Sequence, residues 1–307
     1  MRAAFADTIT EIAKKRKDLF VITNDLGYSV LEPFIEKYPD KYLNVGIAEQ
    51  NMIGIAAGLA LSGFTPVIFS IIPFAIMRCF EQVRDDICYH NLNIKIVGVG
   101  SGLAYGSLGP THHSIEDIAL TRVLPNMSVI CPGDPVEASL ATKAMLSYKG
   151  PVYMRIHKKG DPAVHVKKPK FSIGRAITLL SGKTVGIITT GNMLPTSVAV
   201  AKLLNAEGIS TGLIQFHTIK PLDVLAIQQA AKSYLLLFSI EEHSIIGGLG
   251  SAVSEVLAET DTKVLLNRIG IEDRFTKEVG SQDYLRKVNK LSTEDIYKRI
   301  KTVLKNL

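Results

Sequence analysis

The sequence predicts an α/β protein of two domains, each built on a mostly parallel sheet flanked by helices. Short apolar runs alternate with longer segments of helical apolar spacing, a pattern typical of parallel strands connected by helices. The chain has 307 residues, of which 47% are hydrophobic and 21% charged, so buried strands can form and disorder is excluded. This length suits two domains of ordinary size better than one core.

The first half of the chain alternates between predicted strands and helices. Its first apolar run leads into the polar turn Asn24-Asp25-Leu26-Gly27, which marks the end of a buried strand. The predicted strands cover residues 19–23, 67–71, 94–99, 128–131 and 151–156. The predicted helices cover residues 1–16, 48–62, 73–90 and 135–148.

A change in composition and periodicity separates the two predicted domains. From residue 157 to 171 the sequence is rich in Lys, contains Gly160 and two Pro, and has little periodicity, so we predict domains at 1–160 and 176–307 with a linker at 161–175. Ser292 and the acids after it predict the start of a closing helix that ends at Leu307. A second alternating series occupies residues 184–190, 194–206, 211–216, 224–232, 234–240, 250–259 and 263–269.

Charge and composition exclude several classes of function. The net charge of +6 is spread along the chain without the concentrated basic stripe of a nucleic-acid surface. The N-terminus is too polar for a signal peptide, and no apolar run reaches the roughly 18 residues that span a bilayer. Cys79, Cys88 and Cys131 have neither a pairing framework nor metal-ligand spacing. We therefore expect a cytoplasmic protein without nucleic-acid or membrane partners.

One carboxylate stands out, in Val-Gly-Ile-Ala-Glu-Gln-Asn-Met at residues 45–52. Glu49 lies where a loop enters an apolar helix, and such a residue most often only stabilises the helix N-terminus. The helix that follows is rich in small residues, among them Gly54 and Gly58, and can pack closely against another surface. That neighbourhood favours a functional carboxylate over a purely stabilising one.

Five motifs follow one another along the chain, at residues 42–51, 80–86, 109–113, 124–127 and 131–134. In that order they resemble the pyrimidine-binding domain of the transketolase family, which uses thiamine diphosphate. The last third of the chain, with Glu-Glu-His at 241–243 and Gly-Gly-Leu-Gly-Ser-Ala at 247–252, resembles the C-terminal domain of the same proteins. The resemblance spans nearly the whole chain and implies that the first predicted domain is a pyrimidine-binding domain and the second a transketolase C-terminal-like domain.

The resemblance implies catalytic roles for Glu49 and His112. In the family this glutamate hydrogen-bonds a ring nitrogen of the cofactor's aminopyrimidine and relays the proton removed from the thiazolium carbon. The histidine lies near the cofactor's amino group and the substrate hydroxyls, so we expect His112 to transfer protons or orient substrate. His113, its neighbour, is a further substrate-binding candidate.

The aminopyrimidine also needs a flat apolar partner, and the resemblance favours Phe74 for this stacking contact. Phe69 and Phe80 compete for the role, and Phe74 could instead be a core residue. Arg78 is expected to face the cofactor or substrate, with a surface ion pair as the alternative.

Three further positions match the family's ligand-binding segments. Asp25 and Ser29 fall in the loop that lies near cofactor and substrate phosphate in relatives, although an Asx-type turn explains Asp25 equally well. Arg155 corresponds to an arginine that binds a terminal substrate phosphate, a task that suits a guanidinium.

At two positions the chain departs from the transketolase pattern of substrate-binding residues. Transketolases carry an aspartate that recognises a donor hydroxyl four residues before this histidine, and here the residue is Leu108. Eight residues further upstream they carry a histidine, and here it is Gly100. Because neither side chain can hydrogen-bond a sugar hydroxyl, the usual pentose-phosphate donor preference is in doubt.

The chain lacks the machinery that holds the cofactor's diphosphate. In the family a separate domain with a Gly-Asp-Gly turn binds the diphosphate and its Mg²⁺, and no Gly-Asp-Gly occurs here. We expect no metal ligands in this chain. The resemblance implies a partner, an N-terminal transketolase subunit carrying that domain, in a heterotetramer that contains a homodimer of this chain.

The leading hypothesis is the C-terminal subunit of a split transketolase, which moves a two-carbon ketol unit between sugar-phosphate-like substrates. A close rival is the beta subunit of a 2-oxo acid dehydrogenase, although Gly-Pro-Thr-His-His at 109–113 resembles the sugar-handling branch. A fragment of a deoxyxylulose-phosphate synthase is less favoured. From another class, a non-catalytic α/β scaffold derived from the fold remains open.

Overall fold

The computed structural model describes residues 1–158 and 160–306 and contains two sheets covered by helices, which confirms the predicted α/β class. The strands are β1 (Leu19–Thr23), β2 (Tyr42–Asn44), β3 (Thr65–Ile71), β4 (Lys95–Val99), β5 (Ser128–Ile130), β6 (Val152–Ile156), β7 (Ile177–Leu180), β8 (Val185–Thr189), β9 (Thr211–Gln215), β10 (Thr218–Lys220), β11 (Leu236–Ser244) and β12 (Leu265–Ile271). The α-helices are α1 (Arg2–Ala13), α2 (Glu32–Lys37), α3 (Glu49–Leu61), α4 (Phe80–Gln82), α5 (Asp117–Val123), α6 (Pro135–Ser147), α7 (Leu194–Ala206), α8 (Val224–Ser233), α9 (Leu249–Ala258), α10 (Gln282–Val288) and α11 (Thr293–Lys305).

The strand order explains where a site can form. The larger sheet runs β10-β5-β6-β4-β3-β1-β2 and the smaller one β12-β11-β8-β9-β7. Pairing is parallel except between β10 and β5 and between β7 and β9. Because β6, β4, β3 and β1 are parallel neighbours, the loops after their carboxyl ends meet at one edge, where open α/β sheets bind ligands.

Burial accounts for the apolar runs in the sequence. Every residue of β3, β4 and β6 is buried, since helices cover both faces of the sheet. The second half of the chain also contributes to the larger sheet. Its strand β10 pairs with β5, with Thr218 opposite Ile130, so the predicted boundary at 161–175 does not separate the contacts of the two halves. The boundaries themselves stay a prediction.

Several elements differ from the predictions. The helix predicted over 73–90 is broken into the π-helical turn Pro73–Met77, the short α4 and a second π-helical turn, Val83–Tyr89. Short elements such as β2, β7 and β10 were not predicted, because their pairing partners are distant in sequence. The closing helix α11 ends at Lys305, and Leu307 lies outside the described residues.

A buried ion pair ties α5 to β6. Arg155 donates from Nε to Oδ2 of Asp117 at 2.8 Å, and the Tyr153 hydroxyl donates to the same oxygen at 2.6 Å. All three side chains are inaccessible to solvent, so the carboxylate neutralises a guanidinium that has no access to water.

Asp117→Asn keeps the size of the side chain but leaves the charge of Arg155 buried without a counterion. We expect the free energy of unfolding to fall by about 3–5 kcal/mol in urea denaturation. The control is Glu294→Gln, which removes an exposed partner of Lys298 and should leave stability unchanged. Equal stability of the two variants would show that Asp117 is not needed to neutralise Arg155.

Candidate active site

Glu49 is the first residue of α3 and is held at the edge of the larger sheet. Its side chain is 4% exposed. Asn24, directly after β1, donates from Nδ2 to Oε1 of Glu49 at 2.9 Å, and Arg78 donates from Nη1 to the same oxygen at 2.8 Å. Both donors bind Oε1 and neither bonds to Oε2. The arrangement is a buried carboxylate with one oxygen committed to the protein.

A group of rings lies beside this carboxylate. The guanidinium carbon of Arg78 lies 4.4 Å from the centroid of the Phe74 ring, a cation–π distance. On the other side, the ring centroids of Phe74 and His112 are 5.2 Å apart with the planes at 74°. The structure therefore brings together four predicted site residues, Glu49, Phe74, Arg78 and His112, from three separate loops.

Tyr105 fills the space beside Gly100, one of the two departures noted in the sequence. Gly100 has φ of +93°, and a Cβ there would lie 2.1 Å from Cε2 of Tyr105. The Tyr105 ring centroid is 6.1 Å from that of His112, so an aromatic residue occupies this side of the site. Leu108, the second departure, is 51% exposed.

Three residues of this site were missed in the sequence: Asn24, Tyr105 and Lys158. The Nζ of Lys158 lies 4.2 Å from the centroid of the Tyr105 ring. Asn24 and Lys158 each follow the carboxyl end of a strand, β1 and β6, and that position is the signal that could have identified them. Tyr105 gave no local signal, because its place depends on the fold of its loop.

The electrostatics of the site keep His112 neutral near pH 7. Burial, and then the positive charges of Arg78 and Lys158, lower the pKa of His112 below its ordinary value. Nδ1 of His112 lies 3.0 Å from the hydroxyl oxygen of Thr111, which orients the ring. A neutral imidazole at this position can accept or pass on a proton.

Asp25 and Ser29 form an exposed turn after β1. Both have left-handed backbone conformations, with φ of 61° and 60°. The Asp25 carboxylate accepts a hydrogen bond from the Tyr28 hydroxyl at 2.8 Å, and the amide of Ser29 donates to Glu32 at 2.5 Å. Their predicted contacts with cofactor and substrate stay predictions, and the bonds of Asp25 also suit the alternative of a turn.

Arg155 is enclosed by the protein and makes several hydrogen bonds within it. The residue is 2% exposed, and besides Asp117 its guanidinium donates to the carbonyl oxygens of Ser114 at 2.8 Å and Glu242 at 3.0 Å. These hydrogen bonds join three segments of the protein. The predicted contact of Arg155 with a substrate phosphate stays a prediction.

His113 is also buried, and it does not belong to the ring group, which we define as the rings of Phe74, Tyr105 and His112. Its Nε2 has no hydrogen-bond partner among the described residues. Burial, followed by the neighbouring His112, lowers the pKa of His113, while Glu242 acts in the opposite direction. Its predicted contact with substrate stays a prediction.

Two kinds of feature are absent from the part of the chain that the structure describes. No group of three or more His, Cys, Asp or Glu side chains among the described residues could hold a metal ion. None of the helices within residues 1–158 and 160–306 has the length and apolar character needed to cross a bilayer.

Two family models match the chain. The model described as "Transketolase, pyrimidine binding domain" matches residues 1–160, and "Transketolase, C-terminal domain" matches residues 174–296. The first therefore covers the ring group and Glu49, and the second covers all five strands of the smaller sheet.

Relatives and a solved structure agree with the family models. The chain is 37% identical to an apulose-4-phosphate transketolase subunit of Actinobacillus succinogenes, over 90% of this chain and 89% of that one. It is 35% identical to a 6-deoxy-6-sulfo-D-fructose transketolase subunit of Clostridium sp., over 96% and 92%. The solved structure "Split gene transketolase, inactive beta4 tetramer" superposes with a TM-score of 0.90 at 35% identity, over 99% and 98%.

Replacing Arg78 tests the electrostatics of the site. Arg78→Gln removes a positive charge that opposes protonation of His112, so the pKa of His112 should rise toward its ordinary value. NMR titration of the histidine ring protons between about pH 5 and 8 measures this change, with His112→Gln identifying the signal. Arg84→Gln is the matched control, since Arg84 is exposed and pairs with Asp85. If the pKa of His112 is the same in Arg78→Gln as in the wild type, Arg78 does not act on His112 as their proximity implies.

Proposed function

The chain belongs to the transketolase family of transferases, and on that premise we propose that it supplies one half of the active site of a two-chain transketolase. In this proposal the enzyme moves a two-carbon ketol unit between sugar-like substrates. The other half, which binds the diphosphate of thiamine diphosphate, comes from a separate subunit.

The observation that carries the proposal is the environment of Glu49. A buried carboxylate whose Oε1 is fixed by Asn24 and Arg78 presents Oε2 for a ligand beside the ring of Phe74. These groups fit an aminopyrimidine, which needs a carboxylate at a ring nitrogen and a flat apolar neighbour. Phe74 is favoured over Phe69 as that neighbour, because Phe69 is buried and stacks on Phe5 in the core.

Each residue of the site then has a chemical task. When bound, thiamine diphosphate supplies the carbon nucleophile that attacks a ketose carbonyl and carries the two-carbon unit. Glu49 binds the ring nitrogen and moves a proton at Oε2. His112, neutral near pH 7, binds a substrate hydroxyl and accepts or returns its proton at a ring nitrogen. Arg78 and Phe74 hold the aminopyrimidine in place.

The partner provides what this chain lacks. We propose that an N-terminal transketolase subunit holds the diphosphate and Mg²⁺, in a heterotetramer with two copies of each chain. Helix α3 suits an interface between chains, because Gly54 and Gly58 have open space around them and Leu61 is 75% exposed. All three cysteines are unpaired, which is consistent with the cytoplasmic location that we propose.

The substrate is proposed to be an anionic ketose. The named relatives act on apulose 4-phosphate and on a sulfonated fructose, both of which carry an anion. Lys158 lies beside Tyr105 and acts electrostatically on His112, so its positive charge lies near the proposed substrate end of the site. Leu108 and Gly100 offer no hydrogen bond to a sugar hydroxyl, which supports a donor other than the usual pentose phosphates.

The proposal predicts ketol transfer only in a mixture of this chain with a transketolase N-terminal subunit from the same organism. The assay uses a panel of ketose phosphates with thiamine diphosphate and Mg²⁺. Glu49→Gln keeps the shape of the side chain but not its basicity, so turnover in the mixture should fall by at least about 10³-fold. The control Glu294→Gln changes an exposed carboxylate on α11 and should keep full activity.

The alternatives give different results in the same mixture. Decarboxylation of 2-oxo acids favours the beta subunit of a 2-oxo acid dehydrogenase. Inactivity with both substrate panels, in a mixture whose assembly is verified by gel filtration, favours a scaffold. Wild-type turnover in Glu49→Gln contradicts the role of this carboxylate.

A further inference from the structure

The loop that carries His112 is closed at its base. This loop, residues 100–114, connects β4 to the segment before α5. Its two ends meet where Gly102 and Ser114 pair as an antiparallel bridge, with amide-to-carbonyl distances of 3.1 and 2.9 Å. Between these ends lie Tyr105 and His112, both part of the ring group. The position of the catalytic histidine therefore depends on what holds this base.

A carboxylate of the second domain holds one side of the base. Glu242, in β11, accepts a hydrogen bond at Oε1 from the amide of Leu103 at 2.7 Å. Gly102 packs directly against it, because a Cβ there would lie 2.4 Å from Oε1 of Glu242. Glu242 is 1% exposed, so this contact is sheltered from water and competes with no solvent hydrogen bond.

The other side of the base reaches the same residue through Arg155. One terminal nitrogen of Arg155 donates both to the carbonyl oxygen of Ser114, at 2.8 Å, and to that of Glu242, at 3.0 Å. The two ends of the loop are thus joined to a single residue of β11, one through its side chain and one through its backbone.

The charge of Glu242 is compensated within its own domain. Arg286 donates to Oε2 at 2.5 Å and Gln282 donates to Oε1 at 2.7 Å. Burial alone would raise the pKa of Glu242, but Arg286 and the hydrogen bonds outweigh it, and the pKa lies below its usual value. The carboxylate is therefore ionised, and Arg286, Gln282 and the amide of Leu103 together hold it in place.

We propose that Glu242 is a positioning residue, through which the C-terminal domain holds the loop 100–114 and sets the place of His112. The proposal rests on the proposed function for its catalytic consequence. It gives the C-terminal domain a part in catalysis, although none of the predicted site residues lies on it.

The neighbouring residue Glu241 provides a matched control. It is as buried as Glu242, at 1% exposure, but its two oxygens accept from the amides of Leu249 and Gly250 at 2.7 and 2.8 Å. It therefore binds the start of α9 and makes no contact with the loop. Replacing either residue removes a buried carboxylate from β11. Only the replacement of Glu242 should release the loop 100–114.

Hydrogen–deuterium exchange of the chain, followed by mass spectrometry, tests the contact without any assay of activity. In Glu242→Ala we expect peptides covering residues 100–114 to exchange at least about tenfold faster, while β3 and β6 stay protected. Glu241→Ala should speed exchange at residues 247–252 instead. Gly102→Ala, which forces the loop away from Glu242, should reproduce the effect of Glu242→Ala.

Activity of the two-chain enzyme then tests the consequence. Glu242→Ala and Gly102→Ala should lower kcat by about 10- to 100-fold, and Glu241→Ala should leave it unchanged.

Unchanged exchange of residues 100–114 in both Glu242→Ala and Gly102→Ala overturns the proposal. Faster exchange across the whole chain also overturns it, because it would indicate a merely structural role. Faster exchange confined to the loop with unchanged kcat also overturns it. If the mixture has no activity, the proposed function fails while the exchange result still decides whether Glu242 holds the loop.

Discussion

The hydrogen bonds from Asn24 and Arg78 to a single oxygen of Glu49 are the interaction on which the site depends. They connect the loops after two strands, β1 and β3, to the first residue of α3. A carboxylate with so little solvent access needs such donors, because burial without them would cost several kcal/mol. The same two bonds leave Oε2 of Glu49 for the aminopyrimidine in the proposed site. The hydrogen bonds that stabilise the buried carboxylate are thus also the ones that the proposed chemistry needs.

Buried charges also connect the two domains. Asp117 neutralises Arg155, and Arg155 in turn binds the carbonyl oxygens of Ser114 and Glu242. Such networks are weak evidence for stability, since apolar residues could fill the space. Here the hydrogen bonds of Arg155 join β6 to the base of the loop that carries His112 and to β11. The proposed positioning of His112 depends on these bonds.

Most of the fold follows from the sequence, because buried parallel strands leave long apolar runs and Glu49 begins an apolar helix. The family models and relatives confirm the resemblance. The broken helix over 73–90 and the strand β10 could not be predicted, since π-helical turns and antiparallel pairing depend on distant contacts. For the same reason the sequence could not show that Arg155 is buried and paired with Asp117, since the fold determines both. Tyr105 was missed because its place beside Gly100 arises from the folded loop.

Calorimetric titration of thiamine diphosphate in the presence of Mg²⁺ tests most directly whether this chain is half of a site. The titration is made into the chain alone and into its equimolar mixture with an N-terminal transketolase subunit. We expect saturable binding in the mixture and none that saturates with the chain alone, because in the proposed site this chain contacts only the pyrimidine end of the cofactor. Tight, saturable binding to the isolated chain would contradict the two-chain site.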